Sequence, residues 1–272
     1  MGLIRVAQIN DAEALSYFRA VLRIDQKHAA AWLALIQTEL RLGNLDAALQ
    51  AVEKAGKLYP NNSRLTYERG QIFAKLGKFD LAATEFEKAA QSDSTFLKVF
   101  YALGNAYNRL GQTARADSIL ELYEDLAEKM RDLDLDLRVV DLNPESADAH
   151  YNLARAHEKM KDYPAAIREY HKALKLNPEF PQAANNLGII YFRFNQLNKA
   201  RGAFEQAVSW SDTTAKYHFN LGTVYARLGN VKNAGAQWEM TLMLDPNHQK
   251  ARNFVEALKK QGAQFKEAPS LK

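Results

Sequence analysis

Small residues recur in this sequence at one interval: Gly70 and Gly104 lie 34 residues apart, and so, in turn, do Ala154, Gly188 and Gly222. Prolines keep the same register at Pro144 and Pro178, and Pro60 and Pro246 close comparable stretches. A copy of this length cannot bury a core alone, so the period commits the chain to a stack in which each copy packs on its neighbours. Four stretches share the frame, beginning at Trp32, Phe100, His150 and His218. Within each, apolar residues recur three and four apart, a Gly or polar break follows, and a second apolar stripe runs up to the proline. The pattern predicts two amphipathic helices per copy, with small residues where the two backbones cross closely and a proline that cannot continue the second helix.

Phe100, Leu103, Gly104 and Tyr107 on the first helix, and Ala166, Tyr170, Ala173 and Pro178 on the second, resemble the signature of the tetratricopeptide repeat family. That resemblance implies an all-α, right-handed α-solenoid of helix-turn-helix units. Six full repeats are expected, at 29–62, 63–96, 97–130, 147–180, 181–214 and 215–248. The frame breaks once: Gly104 to Ala154 is 50 residues, 16 more than the period, and the excess falls at 131–146.

That insertion carries the alternating stretch "RDLDLDLRVV". A strand is excluded because its apolar residues join a helical row, Ala116, Ile119, Tyr123, Leu126, Met130, Leu133, Leu137 and Val140, with only Leu135 well off it. A calcium loop is excluded because Leu137 and Asn143 stand where Gly and Glu would be needed. The second helix of the third repeat is therefore expected to run on, with a bend near 131–136, to about Leu142, joining two three-repeat blocks. Residues 1–28 read as a half-repeat whose first helix is truncated, with Ala14 and Phe18 in frame; 249–262 as a capping helix stopped by Gly262; and 263–272 as a disordered tail.

In such stacks the first helices line the concave face, so one repeat offset becomes a ladder along it. Arg41, Lys75, Arg109, Lys159, Arg193 and Arg227 form a basic ladder, with Arg64, Lys98, Arg155 and Lys216 at nearby places. Mainly Glu68, Asp148 and Glu158 oppose them, so a chain of net charge only +4 is expected to gather positive charge in its groove. The bland alternative is a set of solvated helix ends facing the carbonyl dipole. Asn152, Asn186 and Asn220 form a second ladder suited to clamping the amides of an extended peptide, although Ala34, Glu68 and Ala102 hold its place in the earlier repeats. Tyr67, Tyr101, Tyr151 and Phe219 form a third, able to line side-chain pockets or to pack against neighbouring helices. The carboxylate clamp of chaperone-binding family members is not matched, since Tyr151, Arg155 and Asn220 stand at three of its required places.

Other chemistry finds little footing. The absence of cysteine removes thiolate nucleophiles and Cys-based zinc sites, and leaves cytoplasm and periplasm equally open. His150, His157 and His218, like Trp32, Trp210 and Trp238, fall on packing places, which argues against a metal trio and a nucleic-acid platform. No phosphate loop, nucleophile elbow or paired carboxylates appear, so no enzyme, cofactor or metal is expected. No apolar run reaches signal-peptide or membrane-spanning length, which predicts a soluble chain with no anchor of its own. Two functions remain: a scaffold holding an extended, acidic peptide segment of a partner, or an assembly module that self-associates through its N-terminal end or convex surface.

Overall fold

The computed structural model describes residues 11–266, with side chains to Lys260, and these form fourteen helices and no strands. Apart from α7, the helices up to α13 are 13 or 14 residues long. After α1 (Asp11–Ile24) they come as hairpins: α2 (Ala29–Leu42) with α3 (Leu45–Leu58), and α4 (Ser63–Lys75) with α5 (Phe79–Ser92). Then follow α6 (Leu97–Arg109) with α7 (Thr113–Leu142), α8 (Ala147–Lys159) with α9 (Tyr163–Leu176), α10 (Pro181–Arg193) with α11 (Leu197–Trp210), and α12 (Ala215–Arg227) with α13 (Val231–Leu244). Helix α14 (Gln249–Lys266) closes the series.

Each hairpin turns through one left-handed residue in the same register: Gly43, Gly77, Gly111, Lys161, Asn195 and Gly229, all with φ between 57 and 78°. Four are glycine because a Cβ is disfavoured there, and Asn is the usual second choice. Lys161 is the exception, accepting a conformation that costs an L-residue about 1–2 kcal/mol. Three of the first helices, α2, α4 and α8, open on a side chain that accepts the N–H three residues on: His28 from Ala31 at 3.2 Å, Asn62 from Leu65 at 3.1 Å and Ser146 from Ala149 at 3.2 Å.

Packing within a hairpin follows the small residues. A Cβ on Gly70 would lie 2.5 Å from the Phe86 ring, and one on Gly188 would lie 2.7 Å from Phe204. Both rings are almost wholly buried. Alanines one turn to either side of these rings, such as Ala82 and Ala89, are buried with them, so the second helix lies flat on the first.

The chain divides into two compact units, 1–128 and 129–272, and the boundary falls inside α7. Helix α7 is unbroken for 30 residues and runs without interruption through 131–136. Counting back one period of 34 from Tyr163–Leu176 lands on 129–142, so its last fourteen residues occupy second-helix places for which the chain supplies no first helix. The register puts Asp132 and Asp136 where α9 has Ala166 and Tyr170. Carboxylates are tolerated there because the neighbours they meet on α8 are the cations Arg155 and Lys159. Asp132 accepts an ion pair from Lys159 at 2.7 Å, and burial followed by the charge of Asp132 pushes Asp136 up. Of the apolar row along α7, Ala116 and Leu126 are buried, whereas Met130 and Leu137 are exposed, as is the off-row Leu135.

At the ends, α1 buries Leu15 and Leu22, with Phe18 packed beside them. Helix α14 buries Ala251 and Val255 against Trp238, and continues through Gly262 to Lys266 rather than stopping there. A helical glycine costs only about 1 kcal/mol, too little to end a helix without a cap. Residues 1–10 and 267–272, including most of the expected tail, lie outside the described residues.

Candidate functional site

First helices lie side by side, α2 against α4 and α4 against α6 in the first unit, α10 against α12 in the second. In the first unit their shared face opens a cleft of ≈ 480 Å³. Leu33, Ala34 and Gln37 of α2 form one side, Tyr67 and Glu68 of α4 the floor, and Arg64 and Lys98 the charged margin. Tyr67 is fixed by Phe96 and Phe86, with ring centroids 5.1 and 5.6 Å away. Glu68, only 6% exposed, accepts a 2.6 Å hydrogen bond from Gln37 Nε2. Burial pushes its carboxyl up, against the opposing pull of Gln37 and of the Lys98 charge. The cleft thus offers two exposed cations, an aromatic wall and one half-satisfied carboxylate.

Every rung of the basic ladder sits in the last turn of a first helix, or one residue from its end, where the carbonyl dipole favours a cation. Each also reaches back to the preceding helices. Arg41 pairs with Asp11, Lys75 Nζ donates to the Leu40 carbonyl at 3.1 Å, and Arg109 lies over the Phe79 ring at 4.9 Å. Lys159 pairs with Asp132, Arg193 donates to the Tyr163 hydroxyl, and Arg227 lies over Phe192 at 5.6 Å and donates to Asn195 at 3.4 Å. The six residues brace consecutive hairpins, and two of them are neutralised by carboxylates. Arg64, Lys98, Arg155 and Lys216 are exposed, with no ion pair among the described residues; Arg155 leans over the Tyr151 ring at 5.8 Å.

The asparagine ladder is graded. Asn152 is exposed with no hydrogen bond among the described residues. Asn186 is fully engaged: its Nδ2 donates to the Tyr151 and Tyr170 hydroxyls at 3.4 and 3.2 Å, and its Oδ1 accepts from Asn185 at 3.2 Å. Asn220 donates to Asn185 Oδ1 at 2.7 Å and keeps its own Oδ1. Asn185, 1% exposed, joins these two rungs and was not singled out by sequence reasoning. A signal existed, since it interrupts the aromatic row between Tyr151 and Phe219. Tyr170, donating to Glu158 at 3.0 Å, completes the network, and burial reinforced by the Glu158 charge pushes its hydroxyl up.

Aromatic rungs differ in the same way. Tyr101 is 54% exposed beside Tyr123. Tyr151 packs on Phe180 at 4.8 Å, and Phe219 on His248 at 4.5 Å. Of the residues read as packing, His150 and His218 are each 4% exposed, with both ring nitrogens bonded: to Glu169 and the Pro144 carbonyl, and to Gln237 and the Asp212 carbonyl. Trp238 is buried, but Trp210 is 45% exposed, a correction explained by its place at the last residue of α11. Among the described residues no group of three potential ligands could hold a metal, and no helix is long and apolar enough to cross a membrane.

Comparison with known proteins places these observations. The mouse outer dynein arm-docking complex subunit 4 is 29% identical over 146 residues, which is 50% of this chain and 22% of that protein. Superkiller protein 3 of Schizosaccharomyces pombe is 26% identical over 129 residues, 47% of this chain and 9% of that protein. The chain therefore spans less than a quarter of the length of either relative. A crystal structure of MamA is similar at 23% identity, covering 66% of this chain and 96% of that one, with a TM-score of 0.38. The family model described as tetratricopeptide repeat matches residues 2–63, 33–96, 67–129, 137–170 and 151–213. With that match spread over most of its length and hairpins built on the same small residues and turns, the chain belongs to the tetratricopeptide repeat family.

Proposed function

We propose that this chain is a non-catalytic protein-interaction scaffold that holds an extended, acidic segment of a partner along the face of its first helices. The observation that carries the reading is the α2/α4/α6 cleft, which Arg64 and Lys98 line together with Tyr67 and Phe96, both cations exposed and neither in an ion pair among the described residues. An acidic peptide would meet unneutralised charge there, and the aromatic wall would receive one apolar side chain. In the second unit Asn152, Arg155, Lys216 and the free oxygen of Asn220 offer a different combination, an amide clamp beside cations. The braced ladder residues contribute through potential more than through contact. A relative named as a subunit of a docking complex supports a scaffold.

The test is fluorescence anisotropy with labelled extended peptides of matched length, acidic or neutral. Acidic peptides should bind more tightly, with affinity falling as salt rises, and Arg64→Glu with Lys98→Glu should weaken binding by about tenfold or more. Equal binding of both peptide classes, or indifference to the double reversal, would remove the proposal.

A further inference from the structure

A second groove lies on the other side of α2, between α1 and α3. Its volume is ≈ 740 Å³, larger than the cleft described above. Leu22, Trp32 and Leu35 give it an apolar floor. Cations stand one turn apart on both walls, Arg19 and Arg23 on α1, Lys54 and Lys57 on α3. Its single carboxylate, Glu39, is buried and already held by Arg19 at 2.6 Å and Asn44 at 2.8 Å. Arg23, Lys54 and Lys57 have no ion pair among the described residues. Two parallel cationic walls fit a helix with an acidic face.

The chain itself contains such a helix. Over 113–142 the sequence holds nine acidic and four basic residues, a net charge of −5 in a chain of +4. Asp117, Glu121, Glu124 and Glu128 follow one another at intervals of 4, 3 and 4, so they share one face. All four are exposed and none is ion-paired among the described residues. Since these carboxylates are free, the stripe does not occupy its own groove. Residues 1–10 and 267–272 offer only one acid, Glu267, and make poor occupants.

We infer that the α1/α3 groove of one molecule receives the acidic stripe of α7 from a second copy of the same chain, its carboxylates meeting Arg23, Lys54 and Lys57. The two surfaces differ, so the contact is head-to-tail: an open assembly keeps a free groove at one end and a free stripe at the other, and growth continues unless the geometry closes a ring. The contact is independent of the peptide-binding reading, because it uses neither Arg64, Lys98 nor the asparagines.

Sedimentation velocity of the full chain over a concentration series tests it. Mass should rise with concentration and fall back as salt screens the contact. Lys54→Glu with Lys57→Glu, and separately Glu121→Lys with Glu124→Lys, should each weaken association by about tenfold or more. All four side chains are exposed, so circular dichroism should show both variants folded. Mixing the two reversed variants restores opposite charges at both contacts and should restore association. A wild type that stays monomeric at every concentration, leaving the groove to some other acidic partner, overturns the inference. So does undiminished association of either variant, or a mixture that stays monomeric.

Discussion

Replacing Gly70 with alanine sets two effects of known sign against each other. Alanine is favoured over glycine in a helix interior by about 1 kcal/mol, so the backbone gains. The new methyl, however, would lie 2.5 and 2.7 Å from two carbons of the Phe86 ring, itself 1% exposed. A buried ring has no solvent to turn into, so α4 and α5 must separate, and overpacking of this kind costs about 1–3 kcal/mol. The net expectation is destabilisation by about 0–2 kcal/mol. Gly56, helical on α3 with nothing within 4 Å of an added Cβ, is the internal control and should show the gain alone. Urea unfolding of both variants, followed by circular dichroism, isolates the packing cost as their difference, about 1–3 kcal/mol. The α8/α9 hairpin already accommodates Ala154 opposite Tyr170, both fully buried, so the penalty measures adjustment rather than prohibition. If Gly70→Ala proves as stabilising as Gly56→Ala, the close crossing is not what fixes the hairpin.

Two further outcomes follow from α7 and α9. Asp134→Pro removes one rung from the middle of α7 and sets the proline ring against the carbonyl four residues back, which should cost about 3 kcal/mol and visible helicity. Asp134→Ala, losing only the exposed pair with Arg138, should cost under about 0.5 kcal/mol, and equal effects would mean that the helix is not continuous there. At Glu169, burial pushes the carboxyl up but hydrogen bonds and charge from Lys172 and His150 outweigh it, leaving it below its ordinary value. Its contribution is therefore complete above the unfolded value and is lost as pH falls through the folded one. Wild type should exceed Glu169→Gln in stability at neutral pH, with the gap closing below about pH 4; a gap independent of pH would refute the assignment.

The hairpins were legible because their causes are local: a small residue at the crossing, a left-handed turn residue, a proline after the second helix. The places of the ladders were legible too, but their engagement was not. Arg41 meets Asp11 thirty residues earlier, and Arg193 meets Tyr163 at the same separation. Such contacts depend on how one hairpin leans on the previous one, which periodicity does not encode. Asn186 and Asn152 hold one repeat place, yet Asn186 is saturated only because a second asparagine, Asn185, interrupts the aromatic row beside it. The α1/α3 groove was hidden for a related reason, since its walls come from helices in different repeats.

The added length in α7 can also be read as a stacking fault. A periodic array that skips one layer keeps its order on either side and loses phase across the defect. The places at 41, 75 and 109 keep step, as do those at 159, 193 and 227, but the interval between the two trains is 50 residues rather than 34. The period holds within each train and is broken between them. If the proposed peptide binding holds in both trains, a partner carrying two short matching segments on a linker should bind more tightly than either segment alone, by effective concentration.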